Sequence, residues 1–413
     1  MKKKAIWVLI LSLLLSCLGG CAGDSSPSFQ FPSGATTEAT TEPSTETIAE
    51  LTEESTPSPA ELFQVAIITD YYDITDQSFN QVTYEAGRDW CEEHNIPYSY
   101  YKPKADSTEA RVLAIEQAIG EGANVLLLPG YAFAGAIVET AEKYPEVYYI
   151  ALDVGEFDLQ DAAGCADDLS YIYPKNIFSA VYQEEIAGFL AGYAVVKMGY
   201  RDLGFMGGLN IAAILRYAYG FIQGADHAAG ELGVEASVKV AYGNQCFGEL
   251  VGIEREVDKW FREGTEAVLL CGGGMYDCLA DVEVPYELKI IGTDVDQKGI
   301  IDELYGSGTT LTSPLKNFSA TIPWTLSKLI LENDWDSLGG TVQTLGLVSG
   351  RELDKNHIAL PDSTQWNDSF TREDYAAIIE ALFTGAVTVD NCIDREPVTK
   401  YITAYHLGNV DMH

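Results

Sequence analysis

The sequence predicts an α/β protein built as two similar lobes in series, each a parallel sheet flanked by helices, with a cleft between them. Three observations carry that prediction. Apolar strand-like runs alternate with helical patterns from Phe63 onward, the signature of a parallel sheet with helices on its faces. The runs are continuously apolar, as strands covered on both faces are. The pattern also restarts half-way: "EGANVLLLPG" from Glu121 is echoed by "EGTEAVLLCG" from Glu263, an offset of 142.

The elements follow in order. "FQVAIIT" is a buried strand, and "QSFNQVTYEAGRDWCEEHN" an amphipathic helix ended by Asn95 and Pro97. "YSYYK", "STEARVLAIEQAIGEG", "NVLLLP", "AGAIVETAEKYP" and "VYYIALD" continue as strand, helix, strand, helix, strand. "NIFSAVYQEEIAGFLAGYAVVKMG" reads as one long helix opening the second half. "DLGFMG", "AAILRYAYGFIQGADHAAGELG", "SVKVAY", "EREVDKWFREG", "EAVLLCG" and "LKIIGTD" then repeat the alternation. Residues 63–173 with 296–335 are expected to form lobe one, and 174–295 with 336–413 lobe two, so that the chain crosses between lobes three times.

The first 62 residues are of another kind. "MKKK" followed by "AIWVLILSLLLSCLGG" is a positive segment and an apolar core ending in small residues, a secretory signal over residues 1–20. "LGGC", Leu18 to Cys21, resembles the bacterial lipobox and predicts lipidation of Cys21; Cys17 is a weaker alternative because Leu15 is bulky. Acyl chains contribute about 0.8 kcal/mol per buried methylene, enough for a firm membrane anchor on the extracytoplasmic face. Residues 21–62 are rich in Ser, Thr, Pro and Glu and lack Lys and Arg. They cannot bury enough apolar surface to fold and read as a disordered tether.

Composition narrows the function. With 25 Lys+Arg against 62 Asp+Glu the formal net charge is −37, which argues against nucleic acid and against a polyphosphate ligand. Six cysteines lie beyond the leader: Cys91, Cys165, Cys246, Cys271, Cys278 and Cys392. None forms a C-x-x-C pair, and no histidine sits at zinc-finger spacing, so neither a metal nor another cofactor is expected. A Cys271–Cys278 bridge is left open.

In open α/β sheets ligands bind beyond the carboxyl ends of the strands. Those positions hold Asp70, Gly130 to Phe133, Asp153, Gly207 and Gly208, Gly243 to Phe247, Gly272 to Tyr276 (with Gly273), Asp294 and Lys316. Carboxylates, amides, glycines and aromatics with one cation suit a neutral, flat, hydroxyl-rich molecule such as a nucleoside or a sugar. The first of these connections, "TDYYDITDQSFNQ" from Thr69 to Gln81, concentrates three aspartates, three aromatic residues and Asn80. On the residues alone Phe79 reads as core packing at a helix start, Asp70 as a turn or cap residue, and Lys316 as a solvated lysine.

These motifs together resemble the BMP family of bacterial lipoproteins, the PnrA-like purine-nucleoside-binding components of ABC transporters. The stretches that carry the resemblance are Thr69–Gln81, "GANVLLLPGYAF" at Gly122–Phe133, "KYPEVYYIALD" at Lys143–Asp153, "NIFSAVYQEEIAGFLAG" at Asn176–Gly192, "IIGTDVDQ" at Ile290–Gln297 and "LTSPLKN" at Leu311–Asn317. The resemblance implies a two-lobed periplasmic-binding-protein-like type I fold, a purine nucleoside as ligand and an ABC permease as partner. It implies that Asp70 and Asn80 line the pocket, that Phe79 stacks on the base, that Asp153 meets the base edge, and that Asp294 and Lys316, the latter entering from the opposite lobe, hold the ribose hydroxyls. Two departures stand out. Tyr71 and Tyr72 replace the family's Gly-Gly, and in "AYGNQCFGE" Gln245 takes the place of the second stacking aromatic, leaving Phe247 or Tyr276 to supply it.

Two other readings use the same residues. A sugar or signalling-molecule receptor would share the fold, and a sensor would share even the ligand. A nucleoside hydrolase would need a D-x-D-x-x-x-D-D loop, whereas Asp70, Asp73 and Asp76 lie three apart. No G-x-S-x-G elbow and no Walker loop is present, so a binding protein rather than an enzyme is expected.

Overall fold

A computed structural model of the chain describes residues 58–243 and 250–410. After a single-turn helix, α1 (Pro59–Leu62), the first half runs β1 (Val65–Ile68), α2 (Phe79–His94), β2 (Tyr98–Tyr101), α3 (Thr108–Gly120), β3 (Val125–Pro129), α4 (Ala134–Ala141), β4 (Tyr148–Leu152), α5 (Glu156–Ala162) and β5 (Ile177–Tyr182). The second half runs α6 (Glu184–Met198), β6 (Asp202–Gly207), α7 (Ala212–Leu232), β7 (Ala236–Tyr242), α8 (Val251–Arg262), β8 (Ala267–Cys271), β9 (Ile290–Ile291), α9 (Lys298–Tyr305) and β10 (Thr310–Thr312). The remainder supplies β11 (Leu315–Lys316), α10 (Phe318–Leu326), β12 (Thr341–Leu345), β13 (Ile358–Ala359), α11 (Arg372–Phe383) and β14 (Ile402–Asn409).

Twelve strands form two six-stranded sheets, ordered β12-β5-β4-β3-β1-β2 and β10-β9-β8-β6-β7-β14, and β11 and β13 pair antiparallel in a small third sheet. Every pairing within the two large sheets is parallel. Without their edge strands β12 and β14 the two orders are the same, 2-1-3-4-5 against 7-6-8-9-10, so the echo in the sequence is an echo in topology. It extends to the backbone. Gly122 and Gly264 have φ of 104° and 103°, and Gly130 and Gly272, at the ends of β3 and β8, both have positive φ, which only glycine adopts without strain.

Strand alternation assigns the cores. Val65 and Ile67 of β1 face one cluster and Ala66 and Ile68 the other. The first of these clusters continues through α6, α7 and α10 to Leu203 and Phe205 of β6, so one core underlies both sheets. Each sheet has a separate outer core. The described residues belong to one compact unit.

The expected long helix over 176–199 is a strand followed by a helix. "IFSAVY" pairs with β4 and β12 as β5, and the helix begins at Glu184. A short, wholly apolar run has no period that separates strand from buried helix; its Ile, Phe, Val and Tyr side chains fit a doubly covered strand. That strand moves the expected boundaries. β5 and β12 join the first sheet and β10 joins the second, so the chain changes sheet after Tyr182, after Thr312 and after Leu345 rather than near residues 173, 295 and 335.

Among the described residues no disulfide forms, Cys271 and Cys278 included; both lie buried. Cys21, Cys246 and Phe247 lie outside the described residues.

Candidate functional site

The carboxyl ends of both sheets open onto a cleft of about 500 Å³. In each sheet the strand order reverses beside the central strand, β1 or β6, which is where ligands sit in such folds. Asp70, Phe79, Asn80, Asp153, Gly273, Asp294 and Lys316 all line this cleft.

The loop after β1 is folded by its own polar side chains. Asn80, at the start of α2, is buried. Its Oδ1 accepts from the Asp70 N–H at 2.9 Å, and its Nδ2 donates to Asp70 Oδ1 at 2.8 Å and to Asp76 Oδ2 at 2.7 Å. Asp76 Oδ1 accepts from the N–H groups of Ser78 and Gln81, satisfying donors that the first turn of α2 leaves open. Burial nonetheless pushes the Asp76 carboxyl up. Asp73 points away and pairs with Lys102 at 2.9 Å. The aspartates therefore build the loop: Asp70 takes the Tyr72 N–H at 3.0 Å as well.

This framework holds Phe79 at the cleft. One side of its ring stacks on Phe318, with centroids 4.6 Å apart, and Phe318 stacks in turn on Tyr182 at 5.6 Å. Phe79 is thus both a core residue, as its position alone suggests, and part of the cleft wall. Across the cleft the turn after β8 contributes Gly272, Gly273 and the half-buried Tyr276.

The charged centre is denser than the sequence indicates. Lys316 is 5 % exposed. Its Nζ lies 2.7 Å from Asp153 Oδ2 and 3.7 Å from both Glu184 Oε1 and Asp294 Oδ1. Burial works against its charge, but Asp153, Asp294 and Glu184 outweigh it and raise the ammonium above the ordinary lysine value. Burial pushes the Asp294 carboxyl up against the pull of Lys316. The Tyr217 hydroxyl donates to Asp294 Oδ1 at 2.9 Å, and Arg216 Nε donates to Glu184 Oε2 at 2.7 Å. Three carboxylates thus share two cations, leaving acceptor capacity for a ligand's hydroxyl donors. Asp153 and Asp294 both hold left-handed backbone, φ 60° and 68°, a conformation uncommon outside glycine and tolerated best by Asn and Asp. They occupy equivalent places at the ends of β4 and β9.

Two expectations need correcting here. Lys316 does not enter from the opposite lobe: its N–H donates to the Asp294 carbonyl at 2.8 Å, and Leu315 bridges to Asp294. The run after β10 stays beside β9, and only the long side chain reaches Asp153. Nor is Lys316 the one cation, or solvated. Arg111 of α3 also lines the cleft, 5 % exposed, and Arg216 stands behind Glu184. Helical arginines carry no strand-end signal, which is why the sequence does not reveal them. Glu184 was legible in principle: two consecutive glutamates open a helix that is otherwise apolar on every side, "EEIAGFLAG", and buried carboxylates need partners.

Comparison with known proteins gives the family and the fold. The profile of the Bmp family, described as ABC transporter substrate-binding protein PnrA-like, matches residues 63–350. A Lactococcus lactis protein named ABC transporter nucleoside-binding protein BmpA is 23 % identical over 304 residues, covering 70 % of this chain and 80 % of that one. An uncharacterised lipoprotein of Pyrococcus furiosus is 22 % identical over 306 residues, covering 71 % of this chain and 70 % of its own. Among solved structures, an ABC transporter solute-binding protein from Conexibacter woesei superposes with a TM-score of 0.57 at 19 % identity, covering 80 % of this chain and 99 % of that one. Its α/β fold of two helix-flanked parallel sheets is the fold described above.

Proposed function

Because the chain belongs to the Bmp family of PnrA-like ABC transporter substrate-binding proteins, we propose that it captures a purine nucleoside in the cleft and delivers it to an ABC permease. The observation that carries the proposal is the placing of Phe79 beside the Asp153–Lys316–Asp294 cluster in one cleft. Phe79 offers an aromatic surface whose back is already supported by Phe318. Asp294, an acceptor, meets two adjacent ribose hydroxyls, while Lys316 donates to a hydroxyl oxygen and holds Asp153 in place. Asp70 and Asn80 act through the loop they brace. Tyr276 supports the second face of the base. The cleft binds rather than transforms its ligand.

Mature protein begins at lipidated Cys21, and the acidic tether holds the folded part on the extracytoplasmic side of the cell membrane. Among the described residues no helix is long and apolar enough to cross a membrane. Mass spectrometry of the mature chain tests the anchor: a modified Cys21 at its N-terminus is expected.

Titration calorimetry with adenosine, guanosine, inosine, the free bases and D-ribose tests the ligand class. Nucleosides are expected to bind at least about tenfold more tightly than the bases, since hydrogen bonds to charged groups contribute roughly 1.5–3 kcal/mol each. Binding of a sugar with no binding of any nucleoside would return the sugar-receptor reading.

A further inference from the structure

Arg111 has no part in the reading above. It is the fourth residue of α3 and lines the cleft together with Asp106, Gly130, Tyr131 and Asp153. Its guanidinium lies 5.9 Å from the ring centroid of Phe133, which is fully buried and fixes the plane it rests on. Its Nη2 pairs with Asp106, whose side chain is 64 % exposed. Its Nε is buried and has no hydrogen-bond partner. The guanidinium nonetheless lines the cleft, and its five N–H donors are more than the Asp106 pair uses, so it can serve an acceptor placed in the cleft.

We infer that Arg111 is a specificity-determining residue that reads the 6-oxo edge of the base, so that the ligand class is 6-oxopurine nucleosides, guanosine and inosine, rather than adenosine. The inference rests on the purine-nucleoside reading. Guanidinium has five N–H donors in a fork and no acceptor. A 6-oxopurine shows two acceptors side by side, O6 and N7, the pair that arginine grips bidentately in guanine. Adenine shows an amino donor at the same place, which would face a donor-only group.

Position favours the base over other acceptors. Arg111 and Asp153 stand on the same wall of the cleft, joined by the turn after β3: the Gly130 N–H donates to the Leu152 carbonyl at 2.7 Å, and Phe133 lies under Arg111. Along a 6-oxopurine the N1–H donor and the O6 acceptor are neighbours, matching an acceptor and a donor set on one wall. A phosphate is the other ligand a buried arginine attracts. Here Asp70, Asp76, Asp106 and Asp153 line the same cleft and would repel a dianion.

The test is calorimetry of the full protein with inosine, guanosine, adenosine and inosine 5′-monophosphate, repeated on Arg111→Met and Arg111→Lys. Wild type is expected to bind inosine about ten- to a hundredfold more tightly than adenosine, the range that a missing polar partner produces. Arg111→Met should bring inosine to the level of adenosine. Arg111→Lys, which keeps the charge but not the fork, should retain only part of the preference and covers the case in which the methionine variant does not fold. Adenosine bound as tightly as inosine by wild type, or equal losses for both nucleosides in the variants, would overturn the assignment of Arg111 alone. Tighter binding of the monophosphate would replace it with a phosphate subsite. Absence of binding to every purine nucleoside would overturn the underlying ligand class as well.

Discussion

Lys316 shows how much a single residue holds. Its ammonium is the only positive group within 4 Å of both Asp153 and Asp294 among the ion pairs of the described residues. Lys316→Met leaves the buried Glu184 and the partly buried Asp153 and Asp294 without their shared cation, and breaking a buried pair in this way costs about 3–5 kcal/mol. Without the lysine nothing opposes the burial that already raises the Asp294 carboxyl, so its protonation relieves the strain as pH falls. Chemical denaturation should therefore show a deficit that is largest at neutral pH and shrinks as the pH falls. Asp294→Asn keeps one acceptor oxygen, and calorimetry with adenosine and 2′-deoxyadenosine should show a smaller preference for the ribose form than wild type shows. Phe79→Ala should weaken nucleoside binding about tenfold, through lost stacking worth about 0.5–1.5 kcal/mol and the area burial that goes with it. His357 supplies a pH dependence of a different sign. It is buried against Thr321, with Nδ1 2.9 Å from Oγ1, and burial lowers its imidazole to about 4. The unfolded chain takes up a proton near the ordinary value of 6.5 that the folded chain refuses until about 4. Stability is then complete above pH 6.5 and falls as the pH drops toward 4, by up to about 3 kcal/mol. His357→Gln should flatten that part of the stability profile relative to wild type.

At the scale of elements, the α6–α7 pair is what seats the charged centre. A Cβ on Gly188 would lie 2.1 Å from the Tyr217 carbonyl, one on Gly192 2.1 Å from the Phe221 carbonyl, and one on Gly220 2.1 Å from the Glu185 carbonyl. The helices touch backbone to backbone, and that close approach puts Arg216 and Tyr217 of α7 within reach of Glu184 and Asp294. Gly192→Ala should lower stability by at least about 1–3 kcal/mol, as overpacking does, measurable as a lower denaturation midpoint. It should also weaken nucleoside binding although residue 192 does not line the cleft. The loop between β1 and α2 is a second such device, since Asn80 ties Asp70 to Asp76. Its shape follows from local hydrogen bonds that the sequence pattern makes readable, whereas the α6–α7 contact joins residues about thirty positions apart through small side chains that carry no ligand-binding chemistry of their own.

For the whole molecule, the chain passes three times between two sheets that share one core, and the cleft lies beyond the carboxyl ends of their strands. Closure of two lobes about such passages is the ordinary response to a ligand in folds of this kind. Small-angle scattering should show compaction when a bound nucleoside is added; an unchanged radius of gyration would count against lobe closure.

The sequence by itself determined the class of fold, because burial on both faces writes a strand as an unbroken apolar run and the internal echo repeats it. It also determined which residues stand at the strand ends, and with them Asp70, Asp153, Gly273 and Asp294, although Gly207, Gly208 and Gly243 stand at strand ends too and do not line the cleft. Local chemistry also caps α2, but through Asp76, which accepts from the Ser78 and Gln81 N–H groups, and not through Asp70, the cap or turn candidate. Tertiary structure decided the rest. Only pairing partners made "IFSAVY" a strand rather than the start of a helix, and with it moved the points at which the chain changes sheet. Only packing brought Arg111 and Tyr217 to the cleft, and Glu184 with Arg216 behind Lys316, because a helical side chain is aimed by what the helix rests on. Lys316 reads as solvated from its neighbours in the chain and is buried in the fold, since the carboxylates that keep it charged come from residues 153, 184 and 294, and such long-range electrostatic pairing leaves no periodic trace in a sequence.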